Sequence, residues 1–123
     1  MSYIQRIVVP VTTAADGSAT AYSPVLTGNL SQIRYVKTDF ADASTFAITA
    51  EATGETLWGE SAVNASTTRA PRQATHSTAG AAALYAAAGQ AVNDKIGLAN
   101  DRIKIVISAG GATKTAVFHF VLE

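Results

Sequence analysis

Residues 102–122 read RIKIVISAGGATKTAVFHFVL, two runs of Ile, Val and Phe on either side of Ala109-Gly110-Gly111-Ala112. Such residues suit a pleated, half-buried surface, and a glycine pair between them is a turn signal. The stretch therefore predicts a β-hairpin with arms Arg102–Ser108 and Thr113–Leu122. In the second arm Ala116, Phe118 and Phe120 share one face while Val117, His119 and Val121 share the other. With apolar residues on both faces, that arm is expected in the middle of a sheet.

The same alternation recurs upstream. Ser44–Glu51 places Phe46 and Ile48 on one face and Thr45, Ala47 and Thr49 on the other, followed by a Thr53-Gly54 turn and a partner strand Glu55–Glu60 with Leu57 and Trp58 on opposite faces. Gln32, Arg34 and Val36 alternate with Ile33, Tyr35 and Lys37 after a break at Gly28-Asn29. Tyr3–Val9 reads as a first strand ended by Pro10. Val11–Ala15 and Ser18–Tyr22 then read as an edge hairpin about a tight Asp16-Gly17 turn.

Two segments lack this pattern. Val63–Gly80 has few large apolar residues, many Ser, Thr and Asn, and Pro71, so a long loop is expected. Residues 79–91 read either as a short helix, favoured by Ala, Leu84 and Tyr85, or as a loop bracketed by Gly80 and Gly89. Asn93-Asp94-Lys95-Ile96 and Asn100-Asp101-Arg102-Ile103 echo each other as two similar turns into strands. Short strands without βαβ alternation imply an all-β domain over residues 1–123, a two-sheet antiparallel β-sandwich of jelly-roll type.

Composition narrows the function. The 123 residues include nine Lys plus Arg against nine Asp plus Glu, two His and no Cys, and 48% are hydrophobic. A balanced charge provides no general basic surface for displacing counterions from nucleic acid, so no direct nucleic-acid partner is expected. Without cysteine there is no disulfide framework, thiolate zinc site or cysteine nucleophile. The apolar run near the N-terminus is too short for a secretory signal, and the uncharged stretch 73–93 is too polar to span a bilayer, so a soluble protein made in a cytoplasm is expected.

No catalytic constellation emerges. Gly110-Gly111-Ala112-Thr113-Lys114-Thr115 resembles the end of a phosphate loop, but Thr stands before the Lys and a strand follows where a helix is required. His76 and His119 sit in no triad context, and there is no Gly-x-Ser-x-Gly elbow. Glu51, Glu55 and Glu60 flank a hairpin without a calcium-loop pattern or an evident sugar platform beyond Trp58. No catalytic, cofactor-binding or metal-binding residues are therefore assigned.

Interaction features are stronger. Residues 17–33 and 73–93 contain no charged side chain, as in the centre of a contact patch. Arg69 and Arg72 flank Pro71, a stiffened presentation of two guanidinium groups suited to carboxylates on a partner. With Trp58 and Tyr85 they are the candidate interface residues.

The stretches 26–36, LTGNLSQIRYV, and 46–58, FAITAEATGETLW, with Thr68-Arg69-Ala70-Pro71-Arg72, Ile96–Ile105 and the closing strand, resemble small virion proteins of short-tailed, tailed bacteriophages. The resemblance runs from about Leu26 to Val121. It implies a capsid decoration, or cement, protein: a jelly-roll-like domain on the outer capsid surface that bridges copies of the major capsid protein. It also implies a dimer or trimer, with residues 1–10 as an arm toward a neighbour, no cofactor and no membrane. A tail or connector component and a glycan-binding β-sandwich using Trp58 and Tyr85 are the alternatives. The resemblance transfers no site residue.

Overall fold

The computed structural model describes residues 4–84, 86, 87, 89, 90 and 92–123. Their backbone is built from β1 (Gln5–Thr12), β2 (Ala19–Tyr22), β3 (Leu26–Lys37), β4 (Thr45–Ala50), β5 (Thr56–Glu60), β6 (Thr67–Arg69), β7 (Arg72–Ala74), β8 (Asn93–Asp101), β9 (Ile103–Ser108) and β10 (Thr115–Leu122). One sheet has the order β1-β10-β3-β8-β7, with β6 also on β3, and the other the order β2-β9-β4-β5. Every pairing is antiparallel. With the short β6 and β7 set aside, eight strands divide into two four-stranded sheets in jelly-roll order, the chain changing sheet at each step except the β4–β5 hairpin, which establishes the expected sandwich.

The predicted hairpin between the last two strands does not form. β9 pairs with β2 and β4, whereas β10 pairs with β1 and β3 in the other sheet. The Ala109–Lys114 connection is thus a corner between sheets, with Ala109, Gly111 and Thr113 all at positive φ. The Asp16-Gly17 turn is likewise a corner carrying the chain from β1 to β2, and no β1–β2 hairpin exists. The second echo, at Asp101-Arg102, marks a third change of sheet, since β8 and β9 lie in different layers.

Two expected breaks are absorbed inside strands. Pro10 lies within β1 opposite Val117, tolerated because β1 is an edge strand with one side free of ladder bonds. The arm expected over residues 1–10 is therefore, from Gln5 onward, part of the sheet. β3 runs through Gly28-Asn29 by means of a register shift between Leu26 and Gly28, where Gly28 has φ +142°. The loop expected over Val63–Gly80 contains β6 and β7, pinned to β3 and β8. No helix occurs among the described residues of 79–91. Instead His76 bridges Ala82, and the Thr75 and Ala83 backbones are tied to each other and to Val92.

Alternation supplies the core. Ile33 and Tyr35 from β3, Phe118 and Phe120 from β10, Phe46 and Ile48 from β4, and Ile103, Ile105 and Ile107 from β9 are all essentially inaccessible. Phe46 is the hub, meeting Tyr35, Phe118 and Trp58 edge-to-face at centroid separations of 4.8, 5.3 and 5.1 Å. Such edge contacts place the positive ring edge on the negative face of the neighbour. β10 is central, as expected, between β1 and β3.

The corners are fastened by side chains as well as backbone. Buried Thr13 donates from Oγ1 to the Gly111 carbonyl at 2.6 Å and accepts from the Lys114 amide at 2.8 Å, while the Gly110 amide donates to the Gly17 carbonyl at 3.0 Å. The approach demands glycine: a Cβ on Gly110 would stand 2.9 Å from the Thr13 methyl. At the other end, Ser23 Oγ accepts from the Ile103 amide, and Asp101 accepts from the amides of Ala52 and Arg102.

Candidate functional site

The open margin of the sandwich, where β5 of one sheet approaches β6 of the other, gathers several candidate residues. Trp58 is a core residue, only 6% exposed, because the bulge between Ile48 and Thr49 turns both Leu57 and Trp58 inward. Its ring therefore offers no open stacking platform, and its indole Nε1 donates to Glu60 Oε1 at 3.0 Å. Arg69 grips the same carboxylate with two parallel bonds, Nε to Oε1 at 2.9 Å and Nη2 to Oε2 at 3.0 Å. Its guanidinium also covers the Trp58 ring at 5.8 Å from the centroid and donates from Nη1 to Thr67 Oγ1 at 2.6 Å.

A planar, bidentate fork of this kind orients both groups. The Arg69 bonds, followed by the Trp58 indole, hold the Glu60 carboxyl below the usual carboxylate range. Glu60 in turn raises the basicity of Arg69. Beside the pair, residues 62–67 line a shallow hollow of about 160 Å³. Its walls offer the pair, hydroxyls and an amide, with no nucleophile–base arrangement.

Arg72 lies elsewhere. β7 sits at the far edge of the six-stranded sheet, and Arg72 donates from Nη1 to the Ser31 carbonyl at 2.9 Å. That carbonyl belongs to the bulge where β3 slips against β10 between Val121 and Leu122. The two arginines flanking Pro71 are thus directed apart, Arg69 toward the inter-sheet margin and Arg72 along the sheet. Tyr85 lies outside the described residues, while neighbouring Leu84 is 44% exposed.

A second cluster was not singled out in the sequence. Arg102, at the β8–β9 corner, donates from Nε to Glu51 Oε1 at 2.7 Å and stacks on Tyr22 at 4.0 Å from the ring centroid. Glu51 raises the basicity of Arg102. The available signal was the echo at Asn100–Ile103, which places an Asp-Arg pair at a change of sheet. The three glutamates considered for acid–base work do not form a pair: Glu51 and Glu60 each serve a different arginine, and Glu55 is exposed. His119 projects from β10 beside Arg6, whose Nη1 is 3.4 Å from His119 Nδ1.

Among the described residues no three His, Asp or Glu side chains are grouped so as to hold a metal ion. No described helix is long and apolar enough to cross a membrane. Neither a protein-family model nor a curated protein matches the chain.

Proposed function

We propose that this chain is a structural protein of a bacteriophage virion, a capsid decoration protein that binds the outer shell and bridges neighbouring copies of the major capsid protein. The observation that carries the reading is where the resembling segments fall. Residues 26–36 lie in β3, 46–58 span β4 and β5, 68–72 span β6 and β7, and 96–105 run through β8 into β9. The likeness is therefore distributed over the framework of a jelly roll rather than concentrated on a reacting centre. A resemblance carried by framework strands fits a protein whose work is to present surfaces.

The polar side chains fit that role too. Thr13, Ser23 and Asp101 fasten corners, while the Glu60–Arg69 pair ties β5 to β6 and the Glu51–Arg102 pair ties segments that are distant along the chain. A domain stiffened in this way loses little conformational freedom on docking, which favours binding through preorganisation. Repeated on a symmetric shell, even a standard-size contact would add up over many copies.

The test is the ratio of this chain to the major capsid protein in purified particles, measured by quantitative mass spectrometry. A ratio approaching the number of shell subunits is expected. A few copies per particle would move the protein to the tail or connector, and absence from the particle would overturn the virion reading and restore a glycan-binding module.

A further inference from the structure

We infer that the outer face of the six-stranded sheet is the docking surface, and that it fits an acidic protein surface. The inference rests on the decoration reading, under which that surface belongs to the capsid shell. Its basis is the distribution of charge in a chain whose formal net charge is zero. β1, β10 and β3 lie side by side and contain no Asp or Glu.

Strand register defines the face. Val9, Val11, Phe118, Phe120, Ile33 and Tyr35 point inward, so the alternate residues point outward. Across the three strands these form the rows Arg6–Val121–Gln32, in which Val121 is itself buried, Val8–His119–Arg34 and Pro10–Val117–Val36. Arg72 reaches the same sheet at Ser31.

Arg6 and Arg34 enter no ion pair among the described residues: Arg6 neighbours the His119 ring, and Arg34 donates to Thr68 Oγ1 at 3.2 Å. The ion pairs formed by described residues, Lys37–Asp42, Glu60–Arg69, Lys95–Glu123 and Glu51–Arg102, lie at the margins of the face or away from it. The face thus carries positive charge that the domain itself does not neutralise.

Apolar groups lie beside the cations. Val8 is 52% exposed, Pro10 is exposed, and Val36 and Val117 are half-buried. Phosphate tracking calls for a continuous set of cations, whereas two separated arginines beside the apolar row Pro10–Val117–Val36 match a protein contact with a dehydrated patch and charged partners. Carboxylates opposite Arg6 and Arg34 can accept bidentate bonds, while the valines lose water against the partner. An acidic protein is therefore the occupant favoured over nucleic acid.

The experiment uses the full chain and shells of its own virus stripped of it, with binding measured by co-sedimentation at 50 and 300 mM salt. Arg6→Glu with Arg34→Glu is compared with Thr20→Glu with Ala47→Glu on the opposite sheet, and thermal melts verify folding. Should the first pair fail to fold, Arg6→Ser with Arg34→Gln removes charge without reversing it. The expected result is at least a tenfold loss for the Arg6/Arg34 variant, less than twofold for the opposite face, and weaker wild-type binding at high salt because screening shortens to a few ångströms.

Equal binding by the Arg6/Arg34 variant overturns the inference while leaving decoration intact. Failure of the wild type to bind stripped shells overturns both. Two further results would also overturn it: binding of a labelled 30-base-pair DNA duplex that the Arg6/Arg34 variant loses, or a wild-type dimer that this variant converts to monomer in sedimentation.

Discussion

The two sheets obey the same rule on their inner sides and different rules on their outer sides. On the four-stranded sheet the outward rows are Thr20–Val106–Ala47–Gly59 and Tyr22–Lys104–Thr49–Thr56, mostly small residues and hydroxyls. On the six-stranded sheet the corresponding rows combine Val8, Val36, Val117 and Pro10 with Arg6, Arg34 and His119. Threonine and alanine on a pleated face satisfy a solvated strand and ask nothing more of it. An exposed valine and two half-buried ones beside arginines without an ion pair among the described residues are not required for folding, and on the docking proposal this difference separates a merely solvated face from the one offered to a partner.

The most severe way to break the comparison is to remove what both faces rest on. Phe118 is fully buried between Tyr35, Phe46 and Phe120. Phe118→Ala is expected to cost about 3–5 kcal/mol in urea denaturation, enough to eliminate most of the stability of a small domain. Both outer faces should then be lost together, in one cooperative transition monitored by Trp58 fluorescence.

A somewhat smaller effect resides beneath the six-stranded sheet alone. The Tyr35 ring is inaccessible, and its hydroxyl has no hydrogen-bond partner among the described residues. Burial pushes the phenol up to about 12. Its contribution is fully present below the ordinary tyrosine value near 10 and falls as pH rises from there toward about 12, because the unfolded chain ionises first. Wild-type stability should therefore drop by roughly 2–3 kcal/mol over that interval relative to Tyr35→Phe. At neutral pH the same substitution should be neutral or stabilising by about 1 kcal/mol, since it removes a buried donor without a partner. Parallel pH slopes for the two proteins would refute this account.

The Thr13 clasp tests whether the faces are held in register by their corners. Thr13→Val keeps the side-chain shape but removes the hydroxyl bonded to Gly111 and Lys114. A loss of about 2 kcal/mol is expected in chemical denaturation, with faster hydrogen exchange at the Lys114 amide. An unchanged exchange rate would show that the corner is secured by its backbone bonds alone.

How much of this was readable depends on which physical effect acts locally. Strand alternation is local, so Phe46 and Ile48, Phe118 and Phe120, and the central place of β10 followed from residue order. Pairing is not local: the Gly110-Gly111 turn looks the same whether it joins two strands of one sheet or carries the chain to the other. Here the Thr13 clasp and the close Gly17–Gly110 approach decide for a corner. Pro10 and Gly28 read as stops in the sequence because the edge position of one and the bulge at the other are tertiary facts. In 79–91, alanine favours a helix by propensity, but among the described residues backbone ties of Ala83 to Thr75 and Val92 prevail. At the candidate site, the Arg69 and Arg72 spacing was visible, whereas their opposite directions depend on Glu60 and the Ser31 bulge.

The smallest expected effect sharpens the comparison most, because it asks a single methyl group to tell the faces apart. Val8→Thr replaces an exposed methyl with a hydroxyl of nearly the same shape, and Ala47→Thr adds one threonine to a face already rich in them. Neither touches the core, so each should change stability by less than about 0.5 kcal/mol. On stripped shells they should diverge. If the six-stranded sheet docks, burying Val8 recovers about 0.8 kcal/mol per methyl-sized group, and losing it weakens binding about fourfold. Ala47→Thr should leave shell binding unchanged. A reversed ranking would transfer the contact to the four-stranded sheet, and equal effects would mean that the valines contribute no more to docking than the threonines opposite them.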